Sequence, residues 1–179
     1  DLSNTLEIFL LLFLILVNGL LAMSEVSLLT SKRAKLNALV SQGKKSAGLA
    51  LKIIENPTAF LSTIQIGITS IGLASGIVGE AIFAAPLSLS LQSLGMLDTV
   101  ADPLATVLVV LVVTYVSITI GELVPKRIGQ SKPEAIASVV AAPMLLLANV
   151  TKPFVVLLSV TTNALLRIFG IGRHQEATV

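Results

Sequence analysis

From Thr58 to Gly79 the chain carries no charged side chain. A helix rises about 1.5 Å per residue, so a run of this length crosses roughly 30 Å of hydrocarbon. Two more apolar runs are long enough to do the same. One extends from about Leu6 to Thr30, with its most apolar part between Ile8 and Met23, and the other from Leu104 to Gly121. Charged residues make up 12% of the chain, about half the share of a soluble domain, so these runs belong in lipid. The first run lacks the basic start and the small-residue cleavage site of a signal peptide, and it too reads as a span. The fold class expected is an all-α integral membrane protein with three transmembrane helices, at about 6–30, 58–79 and 104–124, plus juxtamembrane or interfacial helices.

The basic residues give an orientation. No Lys or Arg occurs before Lys32, and none between Ile53 and Pro125. All the basic residues fall on one side if the N-terminus is outside, three helices cross and the C-terminus is cytoplasmic. The segment from Glu80 to Pro103 is then an external loop. Basic residues that flank spans argue for orientation and against nucleic acid. Cys is absent and His174 is the only His, which excludes disulfides, thiolate sites and a His-rich zinc centre.

Two amphipathic regions remain. Residues 33–55 are expected to form an interfacial helix, with Leu36, Leu39, Val40 and Ala47 near helical spacing and Lys44, Lys45 and Lys52 toward the headgroups. Residues 134–171 are apolar but interrupted by Pro143 and Pro153, and Lys152 would sit at the turn of any membrane hairpin. Helices lying in the inner interface, or re-entering partway, are expected there. Residues 1–172 are read as one transmembrane domain. Residues 173–179 are read as a polar tail leading to a cytosolic regulatory domain.

Ionisable residues inside spans are costly and usually face a cavity or a partner. Glu25 lies on a stripe with Asn18 and Ala22, spaced i, i+4 and i+7. It either faces that stripe's partner or pairs with Lys32 or Arg33 at the interface. In the second span Ser62, Gln65, Thr69, Gly72 and Gly76 share one face, and Thr63, Gly67 and Ser70 another. One face suits close helix packing and the other a polar path. The third span ends in Gly121-Glu122-Leu123-Val124-Pro125-Lys126-Arg127. Pro125 has no N–H, so it is expected to break the helix and free the carbonyl of Gly121 beside a carboxylate. Hard cations prefer such oxygens, and broken helices at membrane depth often mark ion sites. The alternative for Glu122 is an i, i+4 pair with Lys126. The candidate ligand set is Glu122 and Gly121 with Asn18, Ser24 and Glu25 from the first span and Ser62, Gly67, Thr69 and Ser70 from the second.

The motifs NGLLAMSEVSLL, ENPTAFLSTIQIGITSIGL and GELVPKRIG resemble, in order and spacing, the CorC/cyclin M (CNNM) magnesium transporters, including the bacterial hemolysin-C-like members. The likeness covers nearly the whole chain. It implies a homodimer in the bacterial inner membrane, exporting Mg²⁺ against Na⁺ entry, with the ion held by oxygens from all three spans. It also implies a C-terminal cytosolic pair of nucleotide-binding modules of the cystathionine-β-synthase type. By motif, Glu122, Gly121 and Pro125 match the acidic ion site, Gly67 and Thr69 the second-helix motif, and Ser24 and Glu25 the first. Relatives often have Ser where this chain has Ala22, and some have Asn where it has Ile68. Two possible ligands are thereby missing, and weaker Mg²⁺ binding is expected. Two other functions compete: export of a diamine such as putrescine or cadaverine, and a non-transporting anchor or sensor for a cytosolic domain. No Ser–His, HExxH or paired-Asp arrangement inside the spans points to an enzyme.

Overall fold

The computed structural model describes residues 2–171; the polar tail at 173–179 and His174 lie outside them. The described residues form α1 (Leu2–Thr30), α2 (Arg33–Ser41), α3 (Lys45–Glu55), α4 (Pro57–Ser93) and α5 (Asp98–Ile118). A wide π-turn (Thr119–Leu123) then leads into α6 (Val124–Ser131), and α7 (Pro133–Ile168) follows. Four helical stretches are long and apolar enough to cross a membrane: Leu2–Thr30, Pro57–Ser93, Asp98–Ser131 and Pro133–Ile168. The protein is therefore an all-helical, multi-pass type of membrane protein.

Several helices differ from their sequence-based outlines. The segment 80–103 is not a loop. Helix α4 runs on to Ser93 through Pro86, and α5 begins at Asp98. Two acidic residues of this segment, Glu80 and Asp102, join the two helices. Ser88 donates to Asp102, and Thr106 donates to Glu80 at 3.5 Å. The turn between them uses Gly95 at φ 96°, a left-handed conformation that costs glycine little. Residues 33–55 are two short helices, because the chain turns at Gly43 with φ 89°. Residues 133–168 are one continuous helix despite Pro143 and Pro153. Pro133 occupies its first turn, where no intrahelical N–H is required.

Packing falls into two apolar clusters that share α1. One gathers Leu11 and Ile15 of α1 with Ile82 and Ala84 of α4 and Val109 and Val113 of α5. The other gathers Leu21 and Leu28 of α1 with Leu36, Ala50 and Ile53 of the short helices, Phe60 and Ile64 of α4, and Ala137, Ala141 and Met144 of α7. Asn18 lies between them along α1. Large apolar side chains such as Phe9, Leu16, Leu111 and Tyr115 face outward, as expected where the surrounding solvent is lipid. Beyond Thr151 the side chains of α7 have no buried position among the described residues.

Candidate ion site at the wide turn

Small residues bring α1 against the end of the third long helix. A Cβ on Gly19 would lie 3.0 Å from Pro125 Cγ, one on Gly121 would lie 3.2 Å from Asn18 Nδ2, and one on Gly129 would lie 2.8 Å from the carbonyl oxygen of Met23. Side chains larger than hydrogen would hold the two backbones apart. The wide turn belongs to the same contact. Val124 N–H donates to the carbonyl of Thr119, five residues back, so the chain gains one residue over a regular α-turn. Pro125 is buried just after it and the chain stays helical. The proline thus accompanies a widening rather than the break expected from its missing N–H.

The Gly121 carbonyl is not left free. Asn18 Nδ2 donates to it at 2.9 Å. A carbonyl cannot donate, so this bond fixes which end of the Asn18 amide faces Gly121. Asn18 Oδ1 is then buried with no hydrogen-bond partner among the described residues, and so is Ser117 Oγ, four residues before Gly121. An unsatisfied buried acceptor costs on the order of 1–3 kcal/mol, so a cationic or hydrogen-bonding occupant would relieve it. Sequence reasoning singled out Asn18 and missed Ser117. No local pattern marked Ser117, since a lone hydroxyl in an apolar helix usually bonds its own backbone.

The acidic residues separate into two roles. Glu25 Oε2 lies 3.9 Å from Lys126 Nζ, not against Lys32 or Arg33. This pairing between helices takes Lys126 away from Glu122. Among the described residues Glu122 forms no ion pair, although it is only half-exposed. The widened turn accounts for this, since i and i+4 no longer stack when each turn holds more residues.

The other candidates divide. Ser24 is fully buried and donates to the carbonyl of Leu20 at 2.6 Å, so its proton is already used. A Cβ on Gly67 would lie 2.6 Å from Leu21 Cδ1, which makes Gly67 a packing position between α4 and α1. Thr69 is exposed and accepts from Gln65 Nε2 at 3.1 Å. Ser70 is exposed and Ser62 half-buried. The structure therefore joins Asn18 to Gly121, with Glu122 next in the wide turn and Ser117 just before that turn, in α5. It gives Ser62, Thr69 and Ser70 no bond to that group. Ala22 is fully buried, and Ile68 packs against the cluster around Leu21. Both substituted positions thus face protein. Among the described residues no three of His, Cys, Asp and Glu gather in one place. An ion held here would meet one carboxylate and neutral oxygens.

A cavity of about 550 Å³ lies among α1, α4 and α5, lined by residues such as Leu11, Phe83, Val109 and Val113, with Ser90 its only hydroxyl. Its walls offer almost nothing to a hydrated ion.

Residues 9–179 match the cyclin M transmembrane N-terminal domain. The chain belongs to this cyclin M family. Among curated relatives, the UPF0053 protein sll0260 of Synechocystis is 45% identical over 99% of this chain and 40% of its own length. The UPF0053 protein YhdT of Bacillus subtilis is 28% identical over 91% of this chain and 38% of its own. A Salmonella typhimurium protein named polyamine export protein is 36% identical over 92% of this chain and 37% of its own. This cyclin M domain thus spans about two fifths of the length of these relatives. The resemblance read from the three motifs is the family found, and its transmembrane domain agrees with the four apolar helices.

Asn18→Leu preserves bulk on α1 and removes both ends of the amide. The Gly121 carbonyl then loses its donor, at about 1–3 kcal/mol, partly offset because the unpaired Asn18 Oδ1 goes as well, and a lower thermal midpoint of the purified domain is expected. An unchanged midpoint would mean that the buried bond carries little of the α1 contact.

Proposed function

We propose that this cyclin M domain carries a hard cation, Mg²⁺, through the membrane, outward and against Na⁺ entry, and that the ion passes the wide turn between Asn18 and Glu122. The observation that carries this reading is the pair of buried, unpartnered oxygens, Asn18 Oδ1 and Ser117 Oγ, together with Glu122, which forms no ion pair among the described residues. Mg²⁺ keeps several waters and needs few protein ligands. One carboxylate with neutral oxygens suits an ion that must also leave. Ala22 and Ile68, where relatives offer oxygens, fit weak binding with more water retained. Ser62, Thr69 and Ser70 would join only if α4 shifts.

A diamine is the second reading, favoured by the relatives named polyamine export proteins. Thermal stabilisation of the purified domain across Mg²⁺, Ca²⁺, Na⁺ and putrescine separates the two. The Mg²⁺ reading expects stabilisation by Mg²⁺ at millimolar levels, and stabilisation by putrescine alone would overturn it.

The orientation proposed has the N-terminus outside, three crossings, α2 and α3 at the cytoplasmic surface, and α7 against that surface. Helices α5 and α6 set Ser93 and Ser131 near opposite ends of the bundle. Cysteines placed there should react with an impermeant reagent from opposite sides, and labelling of both from one side would exclude the arrangement. A homodimer is proposed through the outward face of α4. Cβ atoms on Gly72 and Gly76 would meet nothing within 4 Å, which leaves room for a second helix to approach closely. Gly72→Leu should shift the nanodisc-embedded species from two copies toward one. A domain already single before the substitution would rule the dimer out.

A further inference from the structure

Three apolar stretches start or stop at one place. Helix α1 ends at Thr30, α6 ends at Ser131 and α7 starts at Pro133. The ends of α1 and α6, taken as crossing helices, lie at the level of the lipid headgroups. Between them opens a groove of about 840 Å³, lined by Lys32, Lys35, Gln130, Ser131, Lys132 and Glu134. Its floor is apolar, with Ala38, Leu39, Pro133 and Ala135. The groove is held in shape by a contact between distant parts of the chain, in which the Lys32 backbone N–H donates to Glu134 Oε1 at 3.0 Å.

The charges in the groove do not cancel. Lys32, Lys35 and Lys132 are exposed, and none forms an ion pair among the described residues. Glu134 is the one acid in the lining; its carboxylate accepts from the Lys32 amide and attracts Lys35 and Lys32, so it offsets one of the three positive charges. Three lysines, one glutamate and several apolar residues therefore line one groove with a surplus of positive charge. This end is also the basic end of the bundle, because no Lys or Arg lies between Ile53 and Pro125. An excess of such residues marks the cytoplasmic leaflet, where anionic lipids collect.

We infer that this groove holds the headgroup of an anionic phospholipid, with the phosphodiester among Lys32, Lys35 and Lys132 and the glycerol against Leu39 and Pro133. The match is one of charge and of polarity together. A free anion would satisfy the lysines but leave the apolar floor uncovered. An acidic protein segment would not require the groove to sit at headgroup level. This inference is independent of the ion reading, since it uses none of the residues at the wide turn.

The test is native mass spectrometry of the purified domain, released from micelles doped with equal amounts of phosphatidylglycerol and phosphatidylcholine. The domain should retain phosphatidylglycerol preferentially. Each lysine near a membrane surface strengthens anionic lipid binding about fivefold. The triple variant Lys32→Gln, Lys35→Gln, Lys132→Gln should therefore lose retention on the order of a hundredfold. A control triple, Lys44→Gln, Lys45→Gln, Lys52→Gln, removes the same charge from α3 and its N-cap and should retain the lipid. Equal loss in both triples would show diffuse attraction and overturn the proposal. So would displacement of the lipid by millimolar inorganic phosphate, which would mark a free-anion site. Equal retention of the two lipids by the unmodified domain would also overturn it and direct attention to an acidic protein partner.

Discussion

Glu122→Gln should abolish Mg²⁺-dependent stabilisation and Mg²⁺ transport while the domain still folds. Gln keeps the shape and the hydrogen-bonding capacity of the side chain and deletes only its charge. The folded state does not depend on that charge, because among the described residues Glu122 forms no ion pair and Lys126 is engaged by Glu25. A dication among neutral oxygens does depend on it, since the carboxylate is the negative group in the wide turn that offsets dehydration. Retention of full Mg²⁺ response by the Gln variant would remove Glu122 from the site. The next test would then be Glu25→Gln, whose effect should also include loss of the contact to Lys126.

Gly129→Ala should be among the most damaging single-methyl additions to the domain. Its Cβ would lie 2.8 Å from the Met23 carbonyl oxygen and 3.5 Å from Met23 Cα. The obstacle is backbone in the middle of a helix, so it cannot turn aside as a side chain would. Overpacking of this sort costs about 1–3 kcal/mol, seen as a lower midpoint in thermal unfolding. Gly48→Ala in α3 makes the contrast, since a Cβ there would lie 3.8 Å from Val40 Cγ2, an ordinary van der Waals contact. Alanine is the better helix former by up to about 1 kcal/mol, so that variant should match or exceed the parent. Equal midpoints for the two variants would mean that α1 and α6 can separate freely.

The long helices were legible because hydrophobic length is a strong signal and survives without any knowledge of packing. Their ends were not. Glu80 and Asp102 read as loop charges, yet each finds a hydroxyl on the neighbouring helix, Thr106 and Ser88. Pro143 and Pro153 read as interruptions, but α7 absorbs both. The stripe Asn18, Ala22, Glu25 was visible in the spacing, and the structure turns Asn18 and Glu25 toward the same partner, the segment from Gly121 to Lys126. The identity of that partner depended on the wide turn, and no local pattern announces an extra residue in a helix. Ser117 was passed over for a similar reason. A lone hydroxyl in an apolar helix usually bonds its own backbone, and only the three-dimensional packing reveals one that does not.

The wide turn also acts as a phase setter. Had the same residues been wound as regular α-turns, α5 and α6 would form a single regular helix, and every side chain after the turn would swing by about 100° around the axis. Gly129 would turn away from Met23, and Lys126 away from Glu25. The surplus residue therefore does for rotation what a hinge does for angle, and it lets one continuous rod present one face to lipid above the turn and a different face to α1 below it.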